Sequence, residues 1–368
     1  MALAKRLAQP FEKCIHKIQK DRYRRYHVSK AKKNFKDLPE KKYLTKEQKH
    51  EIRAFYKKLT GERVPLIWHQ YFYSRTGVYA KEYLPTSLYR MQLMDKANMD
   101  SYRDAYVDKN MIDVYLPDVR HPRAFLKNIN GYFYIDGEPV SRETAIERLW
   151  QLDGAIIKPT LASHGNGVRK LKVENGITNI EGMTLAQLFD EYDKNYIIQE
   201  FVTQHESLSA LNPSSVNTIR ILTYRSGMEV LPLYAVIRIG REGKEIDNES
   251  SGGISTKINP DGTLGKYAFS DAKDGRFEKT DSGIVLEGYK IPYFDVAVEA
   301  VKRCHYRLPF FDLIGWDVSI SPEGEPIIIE WNIHTELSQS AYGPAFGNQT
   351  ERIIKELWHR ENTHDKYW

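Results

Sequence analysis

The chain has 368 residues, 41% of them hydrophobic and 12% aromatic, with 24 tyrosines and a formal net charge of +5. That length predicts two or three packed units, and the composition excludes a disordered or low-complexity chain. No apolar run approaches the roughly 20 residues of a membrane span, the N-terminus lacks the apolar core of a signal peptide, and two cysteines, Cys14 and Cys304, are too few for a disulfide framework or a zinc site. A cytoplasmic protein in a reducing compartment is expected.

The charge is divided along the chain. Residues 1–60 carry 19 Lys and Arg against 6 Asp and Glu (net +13), and the remaining 308 carry 35 against 43 (net −8). From Lys5 to Lys36, basic residues interleave with Phe11, Ile15, Ile18, Tyr23 and Tyr26 at a loosely helical spacing. Residues 1–36 would attract an anionic membrane surface, a lipid-linked phosphate substrate or nucleic acid; alternatively they form a solvated basic helix docked by its few apolar residues on the aromatic stretch Trp68–Tyr73. Thr45-x-x-Gln48 opens a second helix as a capping box, with Ile52, Phe55 and Leu59 on one face and Gly61 at its end.

Residues 62–105 read as a covering layer of short helices and loops rich in aromatics, and from about residue 106 strands alternate with helices. Tyr132–Ile135 is a strand, followed by the turn Asp136-Gly137 and a helix over Ser141–Leu152 that Ser141 caps at Thr144. Strands follow at Ala155–Lys158 and Arg169–Val173, then a helix at Leu185–Tyr192 and a strand at Tyr196–Val202. No internal repeat interrupts this order.

Two features carry chemistry. Phe311–Val318 and Pro326–Asn332 read as paired strands around a Gly-bearing turn. Side chains at i and i+2 share a face of a strand, so Glu330 and Asn332 point together and the partner strand brings Asp317 alongside. Three hard oxygen donors at a sheet surface suit Mg2+, which keeps waters and takes substrate phosphates; the plain alternative is a solvated carboxylate face. Secondly, Lys158-Pro159 ends a strand that a loop, Ser163-His164-Gly165-Asn166-Gly167-Val168, joins to the next. Backbone N–H groups and a hydroxyl in such a loop can face phosphate oxygens, although two glycines in a hairpin are more often only a turn. The loop matches neither the P-loop nor the dinucleotide fingerprint, because it joins strand to strand.

The order of these features resembles the ATP-grasp superfamily over about residues 106–350: a lysine ending a strand, a glycine-bearing hairpin, a strand ending Ile198-Gln199-Glu200-Phe201-Val202, the strand Asn217-Thr218-Ile219-Arg220, and the Asp317 and Glu330-x-Asn332 cluster. Tyr83-Leu84-Pro85, Asn212–Arg220, Asn248 with Gly252-Gly253, and Gly343–Gly347 look like the sugar-transfer-associated branch found in polysaccharide gene clusters.

The resemblance implies an α+β fold in which two α/β lobes grip ATP, with residues 1–105 as a helical basic extension, 106–200 as the first lobe and 201–368 as the second. It implies that Lys109, with Lys96 as the fallback, and Lys158 hold nucleotide phosphates. Ser163, His164, Gly165 and Gly167 belong to a lid over them, which has less glycine than in many relatives. Gln199, Glu200, Phe201 and Val202 form the adenine hinge, His205 or Glu206 takes the ribose, Arg220 faces the transferred phosphate with Arg238 assisting, and Asp317, Glu330 and Asn332 hold two Mg2+ ions. The implied activity is a carboxylate-amine ligase, or a kinase that stops after phosphoryl transfer. Its substrates would be small-molecule or glycan carboxylates and amines, a uronic acid or amino acid of a capsule or surface glycan among them. No nucleic-acid partner is expected, and residues 1–36 leave open a peripheral place on the inner membrane face.

Overall fold

The computed structural model describes residues 2–162, 166–244, 247, 252–270 and 276–360, with side chains of the first helix described at Ile18 and from Asp21 onward. They divide into two compact units, one running up to Met99 and including the chain from Glu336 onward, the other holding Asp100–Ala272 and Arg276–Thr335.

The first unit is helical: α1 (Ala2–Asp37), α2 (Lys46–Thr60), α3 (Ile67–Thr76) and a closing helix at Thr350–Trp358. The Thr45/Gln48 capping box starts α2, and Gly61, at φ +71°, ends it in the left-handed conformation that glycine adopts without steric cost. Ile52, Tyr56 and Leu59 form its buried face. Ala31 of α1 joins Trp68, Phe72 and Tyr83 in one buried cluster, so this part of the basic helix does dock on the aromatic layer. The ring of Tyr83 stacks on Phe72 with centroids 5.2 Å apart. Beside it, the backbone N–H of Leu84 donates to Oε1 of Gln339 and its carbonyl accepts from Nε2, each at 2.9 Å. This amide zip draws the chain after Glu336 into the first unit, where the expected boundaries had placed it with residues 201–335. No described helix is long and apolar enough to cross a membrane.

The second unit contains two seven-stranded antiparallel sheets. Along the chain, the first sheet comprises β1 (Ala124–Ile129), β2 (Tyr132–Ile135), β3 (Glu138–Val140), β4 (Leu152–Pro159), β5 (Arg169–Glu174), β6 (Ile177–Thr178) and β7 (Tyr196–Gln199), in the order β3-β2-β1-β7-β4-β5-β6. Helices α4 (Arg142–Arg148) and α5 (Leu185–Tyr192) start at side-chain caps from Ser141 and Thr184. Helix α4 stops at Arg148, short of the predicted Leu152, because Leu152 already belongs to β4, paired with Val173.

The second sheet comprises β8 (Ile219–Ser226), β9 (Glu229–Ile239), β10 (Ile254–Ile258), β11 (Ala268–Phe269), β12 (Arg276–Phe277), β13 (Leu313–Ile320) and β14 (Pro326–Asn332), in the order β12-β11-β10-β9-β8-β13-β14. Period-2 alternation splits its side chains. Ile219, Ile221, Ile237, Ile254, Trp316 and Val318 share a buried cluster with Ala297 and Val301 of α6 (Phe294–His305). The alternate residues lie on the opposite face, and these carry the charge.

Candidate functional site

Residues directly opposite in an antiparallel pair share a face, so the register places side chains in rows across the second sheet. One row runs Lys257, Val236, Arg220, Asp317, Glu330 from β10 to β14. Its neighbours two residues along add Arg238 beside Val236, and Gly315 opposite Asn332. The hairpin predicted from sequence is present, with Asp317 facing Glu330, and Asn332 Nδ2 donates to Asp317 Oδ2 at 3.3 Å.

Arg220 reaches Asp317 twice, Nε to Oδ1 at 2.5 Å and Nη2 to Oδ2 at 2.8 Å, and Nη1 donates to Thr335 Oγ1 at 3.2 Å. Arg238 adds a second positive charge, with Nη1 3.6 Å from Asp317 Oδ1. Burial, the largest influence on Asp317, opposes ionisation, yet the two guanidiniums and its hydrogen bonds hold the carboxyl down at about 2. Arg220 is desolvated too, but Asp317 raises its pKa above the usual value.

The first sheet and the segment before it deliver the lysines. Asp108 caps the short turn Lys109–Met111, and buried Asn110 fixes that turn by donating to the Asn128 carbonyl at 2.9 Å. From there Lys109 Nζ donates to the carbonyls of Thr160 and Ala162 and lies 3.2 Å from Glu330 Oε2. Lys158, fully buried at the end of β4, has its pKa lowered to about 8, first by desolvation and then by Lys109, against the pull of Glu330. Lys109, Lys158, Arg220, Arg238, Asp317, Glu330 and Asn332 are thus brought into one charged cluster.

The expected hinge segment is shorter as a strand than predicted. Strand β7 ends at Gln199: the Glu200 N–H still donates to the Arg123 carbonyl at 2.9 Å, but the Arg123 N–H donates to the Glu200 side chain, Oε1, at 3.0 Å. Phe201 lies over Gly154, where a Cβ would sit 2.7 Å from the ring, and Val202 follows outside any strand or helix. His205 is committed locally: its Nδ1 accepts from the Ser207 N–H and caps the turn Glu206–Ser209, in which Glu206 is exposed. Of the lid, Gly167 has φ +73° and packs against Pro159, whereas Ser163, His164 and Gly165 lie outside the described residues, as does Asn248.

Thr335, Gly315 and Asp247 had no sequence signal of their own. Thr335 braces Arg220, and Gly315 makes room for both, since a Cβ there would lie 2.4 Å from Thr335 Oγ1. Asp247 accepts from the Thr218 N–H at 2.9 Å, and burial raises its pKa against the attraction of Arg238. The stretch Asn212–Asn217 is a buried hydrogen-bond network: Asn217 Nδ2 donates to the carbonyls of Leu208 and Asn212, and Asn212 Nδ2 donates to Ser215 Oγ. It closes over Gly240, where a Cβ would come within 2.4 Å of Ser215 Oγ.

The donor chemistry fits a hard divalent cation. Glu330 keeps 30% of its side chain exposed, and the Asn332 amide, with its nitrogen turned to Asp317, has its oxygen available for a ligand. Asp317 has both oxygens engaged by Arg220, with Asn332 Nδ2 and Arg238 also turned to it, so a cation that uses Asp317 competes with these donors. Among the described residues no group of three or more His, Cys, Asp or Glu gathers into a cage, so substrate oxygens would have to complete the coordination.

Residues 138–355 match the family described as sugar-transfer associated ATP-grasp, and the chain belongs to that family. Among solved structures it is similar to the ATP-grasp ligase PsnB complexed with a minimal precursor, Mg and ADP, at 13% identity over 70% of this chain and 60% of that one, with a TM-score of 0.38. It is also similar to the VanG D-Ala:D-Ser ligase from Enterococcus faecalis, at 12% identity over 68% and 60% with a TM-score of 0.39. Biotin carboxylase from Campylobacter jejuni aligns at 10% identity over 72% and 49%, with a TM-score of 0.42. The chain therefore spans about 60% or less of the length of these structures. No curated protein gives a significant match.

Proposed function

We propose that this protein is an ATP- and Mg2+-dependent carboxylate-amine ligase, ADP-forming, whose substrates are a sugar, uronic acid or amino acid of a surface polysaccharide. The observation that carries the reading is the convergence of Lys109 and Lys158 on Glu330, next to the Arg220–Asp317 pair. Two lysines beside a carboxylate-amide pair suit a triphosphate. Lys109 and Lys158 neutralise phosphate oxygens, Glu330 and Asn332 Oδ1 hold the cation, and Arg238 with Arg220 receives the charge that spreads over the transferred group. Mg2+, when bound, would offset the triphosphate charge and align the γ-phosphate. In this reading the segment Gln199–Val202 pairs with the adenine edge.

In the reaction proposed, a carboxylate oxygen of the acceptor attacks the γ-phosphorus and the bond to the β-phosphate oxygen breaks, giving ADP and an acyl phosphate. The amine nitrogen then attacks the acyl carbon, the carbon–oxygen bond to phosphate breaks, and the amine gives up a proton, leaving an amide and inorganic phosphate. A kinase would stop at the first step. The test is phosphate release from Mg·ATP with glucuronate or free amino acids as the carboxylate, with and without an added amine. Release that requires both partners supports the ligase, and a stable phosphorylated product without amine supports the kinase. Folded protein that shows no melting shift with millimolar Mg·ATP would count against nucleotide binding altogether.

A further inference from the structure

Helix α1 has two sides with different fates. Arg24, His27, Val28, Ala31, Asn34 and Phe35 follow at helical spacing and are buried or half-buried, and Arg24 Nη2 donates to the Arg63 carbonyl at 3.1 Å. The other side stays in solvent. Between residues 22 and 36 it holds Arg22, Arg25, Lys30, Lys32, Lys33 and Lys36, all exposed, and no exposed carboxylate. At 100° per residue these positions fall within about half the circumference and along about 21 Å of axis. Tyr23 and Tyr26 stand among them, 39% and 61% exposed, and Ile18 continues the same face at 59%.

We propose that this outward face of α1 is a docking surface for an anionic lipid bilayer, on which the helix lies in the plane of the head groups. The charge complementarity is strongly biased, because the 308 residues after position 60 are net negative while this face carries six exposed cations against one exposed carboxylate, Asp21. Lys and Arg at a membrane surface attract anionic lipids, and tyrosine rings favour the head-group level, where the body is apolar and the hydroxyl stays wet. Exposed Ile18 and Tyr26 gain from that environment, whereas a duplex backbone offers such side chains no stacking partner. The binding is independent of the nucleotide site, so it stands or falls separately from the ligase reading.

Truncation is an unsuitable test, since removing residues 1–36 also removes the docked side containing Ala31 and Phe35. The full-length protein should be sedimented with phosphatidylcholine vesicles containing about 30% phosphatidylglycerol, and with phosphatidylcholine alone. Binding is expected only to the anionic vesicles and should vanish near ~0.5 M salt, where screening shortens to a few ångströms. Arg25→Glu with Lys33→Glu should weaken partitioning at least about tenfold with an unchanged melting temperature, because both side chains face solvent. Lys30→Gln with Lys32→Gln is the milder pair, to be used should charge reversal disturb folding. Absence of binding at low salt, or full binding by folded variants, would overturn the proposal. Duplex DNA that strips the protein from vesicles at equal phosphate concentration would overturn it in favour of a nucleic-acid face.

Discussion

Arg220 grips Asp317 through both carboxylate oxygens, and each side chain is only 6% exposed. Ninety-seven residues apart in sequence, they meet because β8 and β13 are neighbours in register. A buried pair of this kind is weak support for net stability, but stranding one partner is costly. The carboxylate that looks like a metal ligand is therefore held ionised by a guanidinium.

Arg220→Gln is expected to destabilise the fold by about 3–5 kcal/mol in urea unfolding, and combining it with Asp317→Asn should recover much of that loss. Asp317 has its folded pKa depressed from 3.8 to about 2, so the pair's stabilisation is present above pH 3.8 and lost as pH falls through 2. Mg2+ alone should raise the melting temperature of Arg220→Gln more than that of the parent, because a cation then no longer competes with the two-point guanidinium contact on Asp317. Equal shifts in the two proteins would show that the ion does not use Asp317.

Glu330→Gln is expected to lower ATP turnover by at least about a hundredfold with little loss of stability, since the side chain is partly exposed and its size is kept. Its removal also leaves Lys109 and Lys158 without their shared counter-charge. Metal-free nucleotide should therefore bind the variant at least as well as the parent, while the enhancement by Mg2+ disappears. Activity within a few-fold of the parent would exclude Glu330 as the principal ligand.

Lys158 gives a pH prediction. Its folded pKa of about 8 lies below the ordinary 10.5, so between these values the unfolded chain binds more protons and the folded state gains stability as pH rises. The penalty, on the order of 3 kcal/mol, is fully present below about pH 8. Lys158→Met should abolish the part of the stability rise between pH 8 and 10.5 that Lys158 causes, which is read as the difference between the two stability curves. In the parent, nucleotide binding near pH 8.5 should take up protons, measurable by calorimetry in two buffers of different ionisation enthalpy.

The Asp317, Glu330 and Asn332 hairpin was legible because strand periodicity and a turn lie within one short stretch of sequence. Lys158 stood out at the end of its strand before the glycine-bearing loop, whereas Lys109 was reachable only through resemblance, since nothing local distinguishes it from Lys96; in the structure Lys96 instead donates to the Trp358 carbonyl. The Arg220–Asp317 pair was not legible at all. It depends on the order of strands in the sheet, which alternation within each strand does not encode. The stretch Asn212–Asn217 looked like a family signature and is a buried network in the structure. The strand predicted to reach Val202 ends at Gln199, where the Arg123 N–H is taken by the Glu200 carboxylate, a local choice that β-propensity cannot foresee.

Gly315 tests how firmly the guanidinium is held. Its backbone lies outside the positive-φ region, so alanine is conformationally acceptable, and at an open site the change would stabilise by about 0.4–1 kcal/mol. Here the new methyl would lie 2.4 Å from Oγ1 and 2.8 Å from Cβ of Thr335, and 3.4 Å from Cδ of Arg220. Thr335 must yield, and with it the hydrogen bond that Arg220 Nη1 donates at 3.2 Å. Gly315→Ala is accordingly expected to cost about 1–3 kcal/mol, with part recovered by adding Thr335→Gly. Thr335→Val keeps the volume but removes the acceptor, and should cost about 1.5–3 kcal/mol if the hydrogen bond to the charged guanidinium is the contact that counts. Neutral results in urea unfolding for both single variants would mean that Asp317 alone fixes Arg220, and that the glycine serves only close packing between β13 and the chain following β14.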